Sequence, residues 1–285
     1  MGIKVENIFY TYSKKASNST LALDDVSFTI DENDFVAIVG ETGSGKSTLA
    51  QTFNALLVPD KGQVLVNEYV ISHKNRKSKR LKGLRKHVGL VFQFPEYQLF
   101  EETVEKDVAF GVKNFGVKNE EALKKAHEAL NQLGLDESYY KRAPFDLSGG
   151  ERRKVAIAGI LAINPDILVF DEPTVGFDPA SAKELMNLIC DFHQQGKTII
   201  VITHDMDLVR RYANKVFLLE KGKIVFEGTP SALFEHVRNY DRLAIPSVIK
   251  LAFLLKEKGM DIDINNIRHS DDLIDEIKKW RTKNG

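Results

Sequence analysis

Gly40, Glu41, Thr42, Gly43, Ser44, Gly45, Lys46, Ser47 and Thr48 satisfy the phosphate-binding spacing G-x-x-x-x-G-K-[ST] at every constrained position. Glycines free the backbone to bring its N–H groups against a polyphosphate. Lys46 adds a point charge for the outer phosphates, and Ser47 a hydroxyl ligand for Mg²⁺. Before this loop, Phe35, Val36, Ala37, Ile38 and Val39 read as a buried strand. After it, Leu49, Phe53, Leu56 and Leu57 keep helical spacing, so a helix N-terminus faces the anion. Strand, glycine loop and helix together describe a nucleoside-triphosphate site rather than a glycine turn that binds nothing.

Further groups with chemistry fall at the ends of other apolar runs. Residues 167–170 end in Asp171 and Glu172. Adjacent carboxylates at a strand terminus are costly unless a cation or solvent compensates. Beside a phosphate loop, Asp171 would hold Mg²⁺ and Glu172 would polarise the attacking water as general base. His204 follows the run 198–202 and could donate to the γ-phosphate or hold that water; a lone histidine also serves as a surface or capping residue. Gln93 follows the run 88–92, where its amide could reach Mg²⁺ or the water, or simply be solvated. Tyr12, at the end of an alternating strand, has two readings: a ring for stacking on a purine, or an ordinary strand aromatic. Ser148 and Glu151 form an S-x-x-E capping box that explains those two residues structurally. It leaves Gly149 and Gly150 unexplained, since glycine in a helix costs up to ~1 kcal/mol against alanine. Glycines at a helix start allow a second close approach of backbone to an anion.

The elements that must position these groups alternate between strand and helix. Residues 3–12 and 23–30 read as strands joined by a polar loop with Ser17, Asn18 and Ser19. A turn at Pro59 to Gly62 leads to a short strand over 63–67. Lys74, Arg76, Lys77, Lys79, Arg80, Lys82, Arg85 and Lys86 carry no interleaved aromatics, which favours a solvated face over a nucleic-acid patch. Residues 94–102 mix Phe94, Pro95, Tyr97, Leu99 and Phe100 with Glu96, Glu101 and Glu102, an apolar loop with acidic edges that suggests a docking surface. Asn119 is the expected cap of a helix carrying Leu123, Ala126, Leu130 and Leu133, and Gly134 stops it. Asp178 caps a helix that begins with Pro179 and ends at Gly196. Residues 216–219 and 224–226 form a hairpin. Beyond Thr229 the pattern is helical, with Val248, Leu251, Ala252 and Leu255 as one stripe, and with Ser270 capping a helix that carries Leu273, Ile274, Ile277 and Trp280. That stripe needs a partner surface, its own core or a second subunit.

The balance of 40 Lys+Arg against 40 Asp+Glu gives no net field to attract nucleic acid. The single cysteine, Cys190, excludes an internal disulfide, suits a reducing compartment and reads as a small core residue. No apolar run approaches the ~20 residues needed to span a bilayer, and the N-terminus does not look like a signal peptide. A membrane role would come through a partner.

Residues 40–48, Gln93, 147–151, 167–172, 175–178 and His204 look like the Walker A, Q-loop, signature, Walker B, D-loop and switch histidine of an ATP-binding-cassette ATPase. The resemblance covers about residues 3–230. More narrowly, residues 92–104 and 107–111, with 155–159, resemble the ATPases of energy-coupling-factor (ECF) vitamin transporters, most similarly the second of their two ATPase subunits. Glu151 stands where many relatives have Gln, and Val175 and Phe177 where Ala and Leu are more usual. Neither change removes a group that touches phosphate.

The resemblance implies an α/β P-loop NTPase fold with a parallel core sheet, an antiparallel β subdomain, a helical signature subdomain and a small C-terminal helical extension. It divides the chain into an ATPase domain, 1–230, and an extension, 231–285, with a dimerisation role. It implies ATP and Mg²⁺ as cofactors. Tyr12, residues 40–48 and Gln93 would contact nucleotide, Ser47, Gln93 and Asp171 the metal, and Glu172 and His204 would be catalytic. Two cassettes would pack head to tail, Ser148, Gly149, Gly150 and Asp178 serving the partner's nucleotide in trans. The partner would be a second, paralogous ATPase. A transmembrane coupling subunit and a substrate-binding membrane protein would complete an importer for a vitamin or similar micronutrient, with this chain peripheral on the cytoplasmic face of the cell membrane. Cobalt or nickel importers share these motifs. A soluble cassette ATPase acting on nucleic acid or ribosomes is disfavoured by the single Walker A motif and single cysteine, and a regulatory module without turnover by Glu172 and His204.

Overall fold

The computed structural model describes residues 2–13, 19–75, 80–238 and 243–284. Ser17, Asn18, Arg76, Lys77 and Lys79 lie outside them. The strands are β1 (Ile3–Tyr12), β2 (Thr20–Ile30), β3 (Phe35–Val39), β4 (Lys61–Val66), β5 (Tyr69–Ile71), β6 (Val88–Val91), β7 (Ile167–Asp171), β8 (Thr198–Ile202), β9 (Lys215–Glu220) and β10 (Lys223–Gly228).

Every residue of β3, β7 and β8 is buried, which is why these strands read as unbroken apolar runs. They pair in parallel within a six-stranded sheet of order β10-β9-β3-β8-β7-β6, with β10 antiparallel at one edge. Side-chain alternation sends Phe35, Ala37 and Val39 to one face and Val36 and Ile38 to the other, into two separate cores. The second core is closed by an antiparallel sheet of order β2-β1-β4-β5 and by Leu49 and Phe53 of the helix Lys46–Phe53. The loop after β3 is thereby clamped between both sheets.

The helix Lys46–Phe53 stops before Leu56 and Leu57. Ala55 takes a positive φ of 56° and Leu56 is left 49% exposed, so the helical spacing of those leucines does not continue the helix. The helix Asn119–Gln132 is entered through Lys118 with no side-chain cap, so Asn119 is its first residue and not its cap. The basic helix Arg80–His87 buries Leu81 and Leu84, and Arg85 donates to the carbonyls of Asn54 and Ala55, a solvated face tied to the body.

The helices Val104–Asn114, Asn119–Gln132 and Glu137–Tyr140 pack with Gly149–Leu161 as a helical unit. Glu105, 4% exposed, receives Lys141 and, at 2.9 Å, His127, whose ring stacks on Tyr140. Burial alone would raise its pKa, but these bonds outweigh it and hold the carboxyl below the ordinary glutamate value.

The C-terminal helices Pro230–His236, Ser247–Glu257 and Ser270–Asn284 find their partner surface in the chain's own core. Leu233, Phe234, Ile249, Ala252, Phe253, Ile264 and Leu273 join the cluster that contains Phe35 and Phe170. Buried Arg210 donates to Asp207 and to the carbonyl of Arg268, fastening the extension. The buried face of Ser247–Glu257 is Ile249, Ala252 and Phe253; Val248 and Leu255 of the expected stripe are half-buried against the same core, and Leu251 alone of that stripe is exposed. The last helix begins at Ser270, and Asp272 in its first turn accepts the N–H groups of Arg268 and His269. Cys190 is half-buried, and burial pushes its thiol pKa up, as befits a packing residue.

Phe253→Ala is expected to cost about 3–5 kcal/mol and to lower one unfolding transition that includes the nucleotide-binding body. A separate early transition in calorimetry, with the main melt unmoved, would contradict the shared core.

Candidate nucleotide-binding site

The parallel strands deliver their chemistry at one end. Val39 leads to Gly40, Val91 to Gln93, β7 ends in Asp171 before Glu172, and Ile202 precedes His204. Gly45 enters the helix Lys46–Phe53 at φ 107°, and a Cβ there would sit 2.4 Å from the carbonyl of Ala22. Only glycine fits this crossing of backbone over backbone. Gly43, by contrast, faces open space. Ser44 is 6% exposed and its Oγ has no hydrogen-bond partner among the described residues. A buried hydroxyl aimed into a loop of this shape fits a bound phosphate.

Lys46 Nζ curls over the loop, donating to the carbonyls of Gly40 and Glu41 at 2.8 Å each. Burial lowers its pKa, and the carboxylates of Glu172 and Asp171 oppose that shift without cancelling it. Asp171 is 7% exposed; burial raises its pKa, Glu172 adds to the rise, and the hydrogen bond with Ser47 works against it. Ser47 and Asp171 are thus already together, the oxygen pair that suits Mg²⁺. Thr42 is exposed at the loop's outer edge. Thr48 pairs with Tyr12, oxygen to oxygen at 3.1 Å, which brings the aromatic of β1 to the start of the helix. Tyr12 is 39% exposed and meets Tyr10 edge-on.

Glu172 takes the left-handed φ of 51°, which turns its side chain back toward the strand ends. Its Oε1 lies 2.7 Å from His204 Nδ1 and its Oε2 accepts from Thr203 Oγ1 at 3.3 Å. The pair anticipated from the sequence is therefore in contact. Thr203, fully buried, was not anticipated; its position one residue past β8 was the only available signal.

Ser148, Gly149 and Gly150 are turned elsewhere. Ser148 caps Gly149–Leu161 with Glu151 as a complete capping box. An added Cβ at Gly149 or Gly150 meets nothing within 4 Å. Asp178 accepts from the N–H groups of Ala180 and Ser181 at the head of Pro179–Gln194, as its cap. Gln93 is exposed, and its carbonyl accepts from Arg153 at 3.3 Å. Arg153, which no sequence motif singled out, is 5% exposed and grips Glu96 with two donors, at 3.1 and 3.0 Å. Glu96 is therefore committed within the chain, its carboxylate held by buried Arg153, whereas Glu102 is exposed and pairs with Lys106 at 2.7 Å on the surface.

Nucleoside-triphosphate chemistry on a parallel sheet, with a second glycine-bearing helix start facing outward, is the arrangement of a cassette ATPase. Residues 23–175 match the ABC transporter family. The chain is 49% identical over 262 residues to the energy-coupling factor transporter ATP-binding protein EcfA2 of Streptococcus pneumoniae serotype 2, covering 91% of this chain and 94% of that one. With EcfA2 of Enterococcus faecalis it shares 46% over 282 residues, 98% and 97% of the two chains. Among solved structures, it resembles the ATP-binding cassette MJ0796, a dimer in a post-hydrolysis state bound to ADP and Pi (TM-score 0.72, 31% identity, 80% of this chain and 98% of that chain). It also resembles cbiO1 from Clostridium perfringens, described as part of the ABC transporter complex cbiONQ (TM-score 0.71, 34% identity, 90% and 96%). The chain belongs to the ABC transporter family, among the ATP-binding proteins of energy-coupling-factor transporters.

Glu151 accepts from Ser148 and Tyr139, and these bonds hold its carboxyl below the ordinary value of 4.5. A depressed folded pKa means the stabilisation is present above that ordinary value and is lost as pH falls through the lower one. Glu151→Gln, which keeps an acceptor, is expected to flatten the drop in melting temperature between about pH 5 and pH 3. Superimposable profiles for the two proteins would contradict this.

Proposed function

We propose that this chain is one of two paralogous ATPase subunits that pair head to tail on the cytoplasmic face of an importer for a vitamin or similar micronutrient. The observation that carries the pairing is the outward, unobstructed start of the helix Gly149–Leu161. In its own chain the capping box satisfies Ser148 and Glu151, yet two glycines leave bare backbone N–H groups at a positive helix end. Such a surface suits the phosphates held by a neighbour.

Within one chain, the loop 40–48 would grip the triphosphate, with Lys46 released from the carbonyls of Gly40 and Glu41 to the outer phosphates. Ser47 and Asp171 would hold Mg²⁺, with Gln93 at its edge, and the metal supplies Lewis-acid stabilisation of phosphate charge. Tyr12 would flank the base. Glu172 would orient water and take its proton, with Thr203 and His204 fixing the carboxylate. Asp178, Ser148, Gly149 and Gly150 would serve the partner's nucleotide.

Among the described residues no helix is long and apolar enough to cross a membrane. Transmission would then pass through a protein surface. Phe94, Tyr97 and Phe100 are exposed large hydrophobics on the loop after Gln93, Tyr97 at 84%. The loop is held in shape by Asp107, which accepts from the N–H groups of Phe100 and Glu101 at 2.8 Å. An apolar, acid-edged surface of this kind suits basic amphipathic helices of a transmembrane subunit. The extension, with Leu251, Leu254 and Ile274 exposed, would add contact between the two ATPases.

Affinity purification from native membranes should recover a second cassette ATPase and hydrophobic membrane proteins; recovery of the chain alone or with ribosomes would refute the reading. Glu172→Gln is expected to cut ATP turnover by about a hundredfold or more while leaving ATP bound and the pair closed, as seen by size-exclusion chromatography. Appreciable residual hydrolysis would reassign the base. Charge reversal at Glu101 and Glu102 with Tyr97→Ala should abolish uptake while basal hydrolysis persists, and unimpaired uptake would remove this loop from the docking surface.

A further inference from the structure

Arg153 lies five residues beyond Ser148 on the helix Gly149–Leu161 and is almost wholly buried. Its Nε and Nη2 donate to the two carboxylate oxygens of Glu96, a forked arrangement that fixes both partners in one plane. Nη2 also reaches the carbonyl of Gln93, and Nη1 the carbonyl of Val175. The guanidinium lies over the rings of Phe94 and Phe177, at 5.6 and 5.2 Å. Gly176 takes φ 82°, and a Cβ there would stand 2.8 Å from Nη1, so the turn approaches the guanidinium as closely as a glycine permits.

Three segments with different proposed duties therefore share one buried cation: the loop after Gln93, the turn before Asp178, and the helix that presents Ser148. Separating any of them strands the guanidinium, the Glu96 carboxylate or a carbonyl away from water. Motions that keep the cluster together are much the cheaper ones.

We propose that Arg153 is a positioning residue that locks these three segments into one body, so that displacement of the loop 94–102 is delivered to the residues serving the partner's nucleotide. The proposal rests on the docking role given above to that loop. Lysine cannot replace the fork, because an ammonium is a point charge without fixed donor geometry.

Hydrogen exchange on the full chain tests the lock without any membrane partner. Glu96→Gln alters only the docking loop, yet it is expected to speed amide exchange across 174–178 about tenfold, leaving 36–39 unchanged. In an Arg153→Lys background, Glu96→Gln should add nothing further at 174–178, because the two residues act as a unit. Unchanged exchange at 174–178 in Glu96→Gln, or additive effects in the double variant, would overturn the lock. In the assembled transporter in vesicles, Arg153→Lys should lower substrate taken up per ATP hydrolysed at least fivefold, with KM for ATP within twofold of the parent. A merely structural loss would reduce uptake and hydrolysis together, and an unchanged ratio would overturn the proposal. A parent complex that fails to couple at all strikes instead at the docking reading, while the amide exchange still decides for or against the lock.

Discussion

Three charges held partly out of water at one end of a parallel sheet set the terms for this molecule. Lys46 follows the loop after β3, and Asp171 ends β7 with Glu172 next to it, β8 lying between the two strands. Burial makes Lys46 a weaker base and Asp171 a weaker acid than either would be in water. Each partly offsets the other, but two carboxylates against one ammonium leave the balance incomplete. A polyphosphate with its divalent cation supplies both missing signs at once, the anion to Lys46 and the cation to Asp171 and Ser47. The site is therefore built from charges that the rest of the fold must hold in unfavourable surroundings.

That holding is done by burial on both faces. Alternate residues of β3 enter different cores, so the phosphate loop leaves a strand that can neither tilt nor slide without disturbing both. The antiparallel sheet closes one core, brings Tyr12 to Thr48 and presses Ala22 against Gly45. The other core runs continuously into the C-terminal helices, which is why those helices need no second subunit for their buried face. Their remaining apolar residues, Leu251, Leu254 and Ile274, stay outside it. The helical unit that presents Ser148 shares this core through Val155, Ala158 and Leu161, and Arg153 adds a polar tie from it to the loop after Gln93 and the turn before Asp178.

The parts of the fold that depend on local rules were legible in the sequence. The phosphate loop, the strand-end carboxylates, the Ser148–Glu151 box and the Asp178 cap each need particular residue types at fixed spacing, and each stands where that spacing put it. The misreadings arose where tertiary packing chose between equivalent local options. Leu56 and Leu57 kept helical spacing, but Ala55 turned the chain. Leu251 lay on as good a stripe as Phe253, and only the shape of the neighbouring core selected the latter. Glu96 was indistinguishable from Glu101 and Glu102 because its partner is 57 residues away. Arg153 sits between Arg152 and Lys154 in the sequence, and no sequence period marks a buried cation. Gly176, at φ 82°, is a glycine its own turn requires, and it brings that turn against the guanidinium.

The claim on which the mechanism stands is that Ser148 belongs to a neighbour's nucleotide. It is tested most directly by disulfide trapping in the assembled pair. Ser148→Cys in this chain, with Cys190→Ser and Glu172→Gln, is combined with a single cysteine in the partner's phosphate loop and treated with a mild oxidant. ATP with Mg²⁺ is expected to bring the two thiols together and give a cross-linked pair, which weakens when nucleotide is removed. Equal cross-linking with and without ATP, or none in either condition while both cysteines react freely with a small thiol reagent, would contradict the shared site.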